Sequence, residues 1–356
     1  MTELLPRPIR IVGGGLAGLS LGSLLRRHGV PVELYEPHPY PRHRVCGECL
    51  SGLSEEVIGI LEIGDILTGV PQHRRATWFD VRGGILHDMA LPHPSWGISR
   101  HRLDHLLVSR FQQSGGQLKS ERWRGPVSDE GTVIACGRAL HPRKRLKAKW
   151  VGLKMHVKNP GLVSDLEMHL GRGGYIGLSK VENDSVNVCG LFRSAALEGL
   201  KATSDQRLVA AARRVGLAVL ADKLEDASLV PDSTCGTADF SPGVAQWAED
   251  VFRVGDAARQ IPPFTGHGMA MALESACRVA PYLEAYSMGK TSWVESRQQA
   301  MCQMEHLQSS RLQWACGAHP LILLTWLHPV VKPLLRFGPG IAPFLTRRFW
   351  GEPLAA

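Results

Sequence analysis

The amino-terminal part of the chain alternates short apolar runs with an amphipathic stretch. Residues 8–13 form an apolar run that predicts a buried strand, and residues 16–28 repeat apolar positions at helical period before Gly29. A second apolar run, residues 32–35, predicts another strand and is followed by Glu36. Strand, helix and strand in this order predict a β-α-β unit with parallel strands and a right-handed connection.

The rest of the chain shows both periodicities. Helical periodicity recurs in residues 54–67, 100–113 and 204–226, and a longer helix is expected to begin near Gly266. Strand-like runs occupy residues 76–91, 132–136, 151–192 and 251–254. Turns rich in Gly, Asn and Asp divide the longest of these stretches, so it predicts a meander of antiparallel strands.

Composition places the chain among globular proteins with an excess of positive charge. Of its 356 residues 44% are hydrophobic and 21% are charged, which excludes a disordered or fibrous chain. The 41 bases outnumber the 33 acids, and the formal charge of +8 favours anionic ligands, nucleotide phosphates or anionic membrane surfaces. We find no apolar stretch of signal-peptide or membrane-spanning length and no disulfide framework among the eight cysteines, so we expect a cytoplasmic protein with reduced thiols.

A cluster of bases lies in the middle of the chain. Residues 131–164 contain no acid and eight bases, which are Arg138, Arg143, Lys144, Arg145, Lys147, Lys149, Lys154 and Lys158. Two interpretations stay open, a solvated face or a docking surface for a nicotinamide nucleotide or an acidic electron-carrier protein. Nucleic-acid binding is not expected, because no aromatic platform or known motif accompanies the charge. His101 and His105 lie one helical turn apart without a third ligand, so no metal is expected.

The sequence between the first strand and the first helix carries a dinucleotide-binding motif. Gly13, Gly15 and Gly18 form G-x-G-x-x-G, with Leu16 and Ala17 between the last two glycines. In this context the first glycine permits a tight turn, the second lets the backbone approach a pyrophosphate, and the third lets the helix pack on the strand. Glu36 ends the next strand, where a carboxylate can accept hydrogen bonds from ribose hydroxyls. The alternative is a glycine-rich turn in another α/β protein.

A second motif indicates which dinucleotide is bound. Residues 251–276 read VFRVGDAARQIPPFTGHGMAMALESA, and they resemble the second FAD fingerprint of flavoprotein monooxygenases and the geranylgeranyl reductase family. The resemblance implies that Asp256 binds a ribityl hydroxyl and that residues 265–269 place backbone N–H groups near the flavin. A helix N-terminus at that position stabilises the negative charge of a reduced flavin. The alternative is an ordinary strand-to-helix loop with a capping Asp.

Two further stretches resemble the same superfamily. Arg100 stands in ISRHRLDHLL, which resembles a helix start that contacts FAD, while Cys136 stands where the family has an Asp. The loop RVCGECLSG resembles the Cys-Gly loop that passes beside the flavin in geranylgeranyl reductase-like proteins. Arg42 and Arg44 are further candidates because a diphosphate needs cations. The residues expected to bind FAD are therefore Gly13, Gly15, Leu16, Ala17, Gly18, Glu36, Arg42, Arg44, Cys46, Gly47, Arg100, Asp256, Thr265, Gly266, His267, Gly268 and Met269.

The C-x-x-C spacing of Cys46 and Cys49 also suggests a redox dithiol, which stays open as an alternative to a flavin-facing or inert Cys46. The predicted sheet of residues 150–192 is expected to cover the flavin, with the substrate between them, as the resemblance implies. The residues singled out for catalysis are Cys46, His156 and Tyr175. Those singled out for substrate contact are Asn187, Cys189 and Phe264, against the alternative of ordinary packing.

These observations lead to a fold class and a function. We expect an α/β protein with a glutathione-reductase-like FAD-binding Rossmann domain, an interleaved β-sheet substrate domain and a helical C-terminal segment. Their expected boundaries are residues 1–75, 98–150 and 245–285 for the FAD-binding domain, 76–97 and 151–244 for the substrate domain, and 286–356 for the C-terminal segment. With one dinucleotide motif in the sequence, NAD(P)H would bind only transiently as reductant, or a carrier protein would supply electrons.

The expected reaction is hydroxylation of a lipophilic aromatic or polyketide-like small molecule with NAD(P)H and O₂. Flavin-dependent reduction of isoprenoid double bonds is the alternative, and a non-catalytic FAD-binding protein is the alternative of another class. A halogenase is disfavoured, because the sequence has no W-x-W-x-I-P motif.

The C-terminal residues 306–351 contain no acid and are rich in apolar residues and prolines. They predict either a helical cover over the substrate entrance or a peripheral membrane contact, whereas the prolines exclude a membrane span. For the membrane contact, the expected headgroup ligands are Arg311, Lys332, Arg336, Arg347 and Arg348, and the expected interfacial aromatics are Trp326, Phe337 and Phe349.

Overall fold

The computed structural model of the chain describes residues 5–137, 150–238, 240, 243–244, 247–329 and 333. The strands are β1 (Ile9–Val12), β2 (Val32–Tyr35), β3 (Cys49–Leu50), β4 (Gln72–Phe79), β5 (Ile85–Gly97), β6 (Gln117–Lys119), β7 (Thr132–Ile134), β8 (Trp150–Lys158), β9 (Leu166–Gly171), β10 (Gly174–Val181), β11 (Ser185–Arg193), β12 (Ser228–Leu229), β13 (Cys235–Ala238), β14 (Gly243–Val244), β15 (Phe252–Arg253) and β16 (Arg259–Gln260). The α-helices are α1 (Leu16–Arg27), α2 (Glu55–Leu61), α3 (Gly64–Leu67), α4 (Arg100–Gln113), α5 (Arg207–Arg214), α6 (Ala218–Glu225), α7 (Gly268–Ser287) and α8 (Trp293–Ile322).

A five-stranded parallel sheet forms the first layer, in the order β15-β7-β1-β2-β6. Helix α1 connects β1 to the adjacent parallel strand β2, so the predicted β-α-β unit is confirmed. Helix α1 packs against α4 and α7, and the apolar faces of these helices share one core with β1 and β2. The α/β class and the Rossmann-like sheet are therefore as the sequence predicts.

A nine-stranded mixed sheet forms the second layer. Strands β9, β10 and β11 are consecutive antiparallel neighbours and β8 pairs with β11, so the predicted meander is confirmed. Helices α5 and α6 cover one face of this meander with a separate apolar core. The opposite face, where side chains of alternate residues emerge, is free to face the first layer.

Two predicted helices are each divided in two. Residues 54–67 form α2 and α3, because Glu62 adopts a left-handed conformation (φ 54°) that ends α2. Residues 204–226 form α5 and α6, which Gly216 separates with φ 88°. In both cases the apolar periodicity continues across the break, so periodicity alone does not locate it.

The last helices bury charges that the sequence places at the surface. Arg311 of α8 is only 15% exposed, and its Nη1 lies 3.9 Å from Oε1 of Glu274 on α7. The expected role of Arg311 as a headgroup ligand is therefore wrong, because its guanidinium is turned into the α7–α8 contact. Lys332, Arg336, Phe337, Arg347 and Arg348, together with Phe349, lie outside the described residues. Within the described part of the chain, no helix combines the length and apolarity that crossing a membrane needs.

The basic cluster in the middle of the chain is only partly described, since residues 138–149 lie outside the described ranges. Of the remaining two bases, Lys158 is exposed but Lys154 is 1% exposed. A solvated position for Lys154 is therefore wrong. Its side chain emerges from β8 on the face of the meander opposite α5 and α6.

Candidate functional site

A cavity of about 830 Å³ lies between the two layers. The glycine motif, the loop that follows Glu36, the start of α7 and the free face of the meander all contribute to its walls. Its volume lies in the range that ligand-binding cavities occupy. The structure thus brings both sequence motifs to one site.

The three motif glycines have different tasks. Gly13 adopts φ +117°, and a Cβ there would lie 2.4 Å from the backbone of Cys136; at Gly18 a Cβ would lie 2.0 Å from the carbonyl oxygen of Gly13. A side chain at either position would collide with backbone atoms of the protein, so the fold itself requires both glycines. At Gly15 the nearest atom to a built Cβ is Nη2 of Arg100, 3.9 Å away, and the residue lines the cavity. Gly15 therefore leaves open space beside the N-terminus of α1, which fits the pyrophosphate of a dinucleotide.

Glu36 lies at the cavity wall at the end of β2 and is 5% exposed. Its carboxylate accepts hydrogen bonds from the backbone N–H groups of Gly14 and His38, both at 3.1 Å. Arg42 and Arg44 lie 3.0 and 3.4 Å from the two oxygens of Glu36. The carboxylate is therefore fixed at the place where a ribose would bind, and the two arginines bring positive charge to the same wall.

Sequence reasoning missed the residues at this end of the cavity. Arg122 and Trp123 line it beside Tyr35, whose ring makes an edge contact with Trp123 at 4.8 Å between centroids. Both follow β6, the strand next to β2, and an aromatic ring there can pack on an adenine. Their position after a short strand could have indicated them, but the apolar pattern did not predict that strand.

The second motif forms another part of the cavity wall. Asp256, Gly266, Gly268 and Met269 line it, and Gly266 adopts φ +71° before α7 begins at Gly268. Helix α7 therefore begins at the cavity wall, as the sequence predicts. Of the other predicted cofactor ligands, Leu16, Ala17, Cys46, Gly47 and Arg100 also line the cavity.

Two residues of the second motif lie behind the wall. Thr265 is 2% exposed and its hydroxyl donates to the carbonyl of Pro262 at 3.0 Å. His267 is 4% exposed, and burial together with the charge of Arg311 lowers its pKa to about 3. Their side chains are therefore committed to the turn before α7, and only their backbone can serve a ligand.

The two cysteines of C-x-x-C are free thiols. Burial raises the pKa of Cys46 and raises that of Cys49 to about 11, and the Cys49 thiol contacts the hydroxyl of Ser95 at 3.3 Å. Both thiols are therefore protonated at neutral pH, whereas dithiol chemistry requires a thiolate. This environment disfavours the redox alternative.

The meander supplies the remaining wall. Tyr175, Cys189 and Phe264 line the cavity as predicted, and the rings of Tyr175 and Phe264 meet edge to face at 6.4 Å. Burial holds the pKa of Tyr175 well above its ordinary value, so its hydroxyl stays protonated. The wall continues with apolar residues that the sequence did not single out, which are Ala76, Trp78, Leu166, Met168, Leu191 and Phe240.

His156 and Asn187 do not line the cavity. The Nδ2 group of Asn187 donates to the carbonyl of Cys46 at 3.0 Å, and Nε2 of His156 lies 2.5 Å from the carboxylate of Glu48. Ser179 likewise donates to the carbonyl of Gly47 at 2.7 Å. These side chains hold the loop of residues 46–48 from beneath, so direct substrate contact by His156 or Asn187 is not what the structure shows.

Glu48 connects this loop to both layers and is fully buried. Its Oε1 accepts the backbone N–H of Arg100 at 2.9 Å and lies 3.3 Å from Nζ of Lys154. Nζ of Lys154 also lies 2.7 Å from Nδ1 of His43. Glu48 and His43 were not predicted as site residues. The sequence signal for this cluster is that Lys154 and His156 lie two residues apart on one strand, which places both on the same face.

Comparisons with known proteins agree with this architecture. The profile of an NAD(P)-binding Rossmann-like domain matches residues 11–52, and no curated protein matches the sequence. The flavin-dependent brominase Bmp2 superposes with a TM-score of 0.75 at 16% identity, over 98% of this chain and 94% of that one.

Two further solved structures are similar as well. PqsL of P. aeruginosa, solved in complex with 2-aminobenzoylacetate, has a TM-score of 0.72 at 17% identity, over 91% of this chain and 99% of that one. A single-residue variant of Klebsiella pneumoniae HpxO, complexed with FAD, has a TM-score of 0.68 at 19% identity, over 98% of this chain and 100% of that one. The chain therefore has the fold that flavin-dependent monooxygenases and halogenases share.

Proposed function

We propose that the protein is an FAD-dependent monooxygenase that uses NAD(P)H and O₂ to hydroxylate a lipophilic aromatic or polyketide-like small molecule. The observation that carries this proposal is the cavity between the layers. One end has the glycine turn, a fixed carboxylate and two arginines, and the other end has an apolar wall with a protonated tyrosine. A dinucleotide and a flat apolar substrate fit these two ends.

The residues at the first end fit FAD. Gly15 leaves space for the pyrophosphate, Arg42 and Arg44 supply positive charge, and Glu36 faces the ribose position. Asp256 and the N-terminus of α7 lie where the ribityl chain and the flavin ring would follow. Bound FAD would supply hydride acceptance from NAD(P)H and reaction with O₂, a cycle that also takes up and releases protons.

The apolar wall supports an aromatic substrate. Trp78, Met168, Leu191, Phe240 and Phe264 offer flat or adaptable apolar contacts, and they exclude water from the reacting position. Tyr175 adds a hydroxyl that can donate a hydrogen bond to a substrate oxygen or nitrogen. The ligand named for PqsL, 2-aminobenzoylacetate, combines an aromatic ring with such polar groups.

The reductant is proposed to bind transiently. The described residues contain one parallel sheet with one dinucleotide turn, and this sheet already serves the proposed FAD site. NAD(P)H would then approach from solvent, and an electron-carrier protein would replace it if nicotinamide nucleotides fail to reduce the enzyme.

We also propose a peripheral membrane contact near the end of α8. Trp314 and Leu321 lie seven residues apart on this helix and are 45% and 59% exposed, and Trp326 just beyond it is 71% exposed. Apolar side chains on one exposed face suit the interface of a membrane that contains a lipophilic substrate. A helical cover over the substrate entrance is the competing explanation.

The proposed reaction is tested with purified holoenzyme. The visible absorption spectrum is recorded first, and NAD(P)H oxidation is then followed with a panel of neutral aromatic compounds under air and under nitrogen. Incorporation of one atom of isotopically heavy O₂ into an aromatic product supports hydroxylation. The Gly15→Val variant, which should lack FAD, is the control for non-enzymatic oxidation.

Other results would redirect the assignment. Substrate-dependent oxidation of NAD(P)H under nitrogen, with reduction of an isoprenoid double bond, would replace hydroxylation by the reductase alternative. Halide incorporation in place of oxygen would assign halogenase activity, the activity named for the similar brominase Bmp2. A colourless protein that takes up no FAD would contradict both enzyme proposals.

A further inference from the structure

Four ionisable side chains meet where the loop after β2 crosses strand β8. Glu48 and Lys154 are fully buried and lie 3.3 Å apart. Glu48 also contacts Nε2 of His156 at 2.5 Å, and Lys154 contacts Nδ1 of His43 at 2.7 Å. The rings of His43 and His156 meet edge to face at 4.9 Å. Two hydrogen bonds and the Glu48–Lys154 ion pair form one continuous row, to which no chemical role has been assigned above.

The cluster has the spacing of a metal site but not its chemistry. Ligand atoms of His43, Glu48 and His156 lie within 4.8 Å of one another. However, Nζ of Lys154 contacts both His43 and Glu48, so the ammonium group already occupies the position of a cation. A second positive charge there would face an ammonium at contact distance, which disfavours metal binding.

The protonation states follow from these contacts. Burial alone would raise the pKa of Glu48, but the hydrogen bond from His156 and the charge of Lys154 hold it below its ordinary value. Burial and the nearby Lys154 lower the pKa of His43 to about 4, against a smaller opposing effect of Glu48. The neutral imidazole of His43 therefore accepts a hydrogen bond from Lys154 at Nδ1 and carries its proton at Nε2.

The row leads from a buried to a partly exposed part of the cavity wall. Glu48 and His43 both line the cavity, and Glu48 is buried whereas His43 is partly exposed. His43 also stacks on His101 of α4, with 4.8 Å between ring centroids, and His101 is partly exposed too. The ionisable groups around His43 are thus Lys154, Glu48, His156 and His101.

We propose that Glu48, Lys154 and His43 carry protons between the cavity and solvent. For an outward transfer, Lys154 gives a proton to Nδ1 of His43, which releases its Nε2 proton to water, and Glu48 passes a proton from the cavity to Nζ of Lys154. One proton enters the row and one leaves, so all three groups recover their charge. His43 is left with its proton on Nδ1 and returns to the Nε2–H tautomer by proton exchange with water before the next transfer, and the inward transfer is the reverse. His156 is a positioning residue that fixes the Glu48 carboxylate.

This inference rests on the proposed function, because the redox cycle of a bound flavin exchanges protons inside a cavity whose other end is apolar. Reoxidation of reduced FAD by O₂ to hydrogen peroxide consumes one proton beyond the one that the reduced flavin already carries. It needs neither the substrate nor NAD(P)H, so it isolates proton delivery from the identity of the reaction.

The test follows this reoxidation in photoreduced holoenzyme, by visible absorbance, in H₂O and D₂O. His43→Ala should slow it by about a hundredfold, as loss of a proton-transfer group does, and should increase the solvent isotope effect. Added imidazole should restore most of the lost rate, because it can occupy the space of the deleted ring. His105→Ala, an exposed histidine on the same helix as His101, is the matched control and should behave like the parent.

A second measurement uses the protein without FAD. Histidine nitrogen NMR should show His43 neutral, with its proton on Nε2, at pH values well below 6.5, and Lys154→Met should raise its pKa towards the ordinary value. If Lys154→Met fails to fold, Glu48→Gln combined with Lys154→Met removes both charges together and keeps the buried region neutral.

The outcomes separate the two proposals. FAD-loaded His43→Ala that reoxidises at the parent rate, with no response to imidazole, would overturn the proton route and leave the monooxygenase proposal intact. A histidine spectrum in which the neutral His43 carries its proton on Nδ1 would overturn it independently of FAD, because Nδ1 could then accept no proton from Lys154. Failure of hydroxylation in an enzyme with a normal proton route would instead reject only the proposed function.

Discussion

Replacing Gly15 by Val tests FAD binding separately from folding stability. Gly15 has an extended backbone (φ −93°), and a Cβ at this position meets only Arg100 Nη2, at 3.9 Å. The side chain would therefore enter the cavity without displacing protein atoms. Gly15 is also the N-cap of α1, where an apolar β-branched residue costs about 1 kcal/mol. We expect Gly15→Val to fold with a small loss of stability and to lose FAD.

The magnitude follows from ligand linkage. FAD at a hundred times its Kd stabilises the parent by about 2.7 kcal/mol, and the variant should gain none of this. Urea unfolding with and without added FAD measures both quantities. Gly59→Ala, on α2 where a Cβ meets nothing, is the matched control, whereas Gly18→Ala should fail to fold because its Cβ would lie 2.0 Å from Gly13 O. Parent-like FAD binding by Gly15→Val would refute the placement of the dinucleotide.

Five further substitutions test other parts of the structure. Glu274→Gln removes a carboxyl whose pKa burial raises from 4.5 to about 7. The folded state binds this proton more tightly than the unfolded state, so the parent's free energy of unfolding should fall by about 3 kcal/mol as the pH rises from 4.5 to 7. Urea titrations at several pH values should show this fall in the parent and not in the variant. Asp256→Ala should weaken FAD binding by about 1–3 kcal/mol in fluorescence titrations, while the FAD-free protein still unfolds cooperatively on heating. Cys46→Ser and Cys49→Ser should both retain turnover, and near-complete loss in each would instead support a dithiol. Trp326→Ser should weaken flotation with anionic liposomes, and absence of parent binding at low salt would reject the membrane contact.

Local patterns predicted the parts of the fold that depend on neighbouring residues. The β-α-β unit and the turn before α7 are each formed by one short segment, and Gly18 is required by a contact within its own segment, although Gly13 is required by the distant backbone of Cys136. The antiparallel meander was predicted for the same reason, because consecutive strands pair with each other. The side chains of the cavity wall are different, since they come from strands far apart in sequence.

Long-range contacts explain the misassigned residues. His156 lies 108 residues from Glu48, and Asn187 lies 141 residues from the carbonyl that it binds. Alternation along β8 and β11 placed both side chains on the correct face of the meander, but that face meets a protein loop at one end and the cavity at the other. Periodicity identifies a face and does not tell which partner covers it.

The loop of residues 46–48 holds a charged residue in a backbone conformation that usually favours glycine. Glu48, not the neighbouring Gly47, adopts a left-handed conformation, at φ 52°. Such strain costs about 1–3 kcal/mol, and each hydrogen bond to a charged group contributes about 1.5–3 kcal/mol. Since the Glu48 carboxylate binds Arg100 N, Lys154 and His156, its contacts outweigh the strain and keep the loop in this conformation. The same contacts that fix Cys46 and Gly47 against the cavity also assemble the row of ionisable groups, so the shape of the site and its proton route depend on one buried carboxylate.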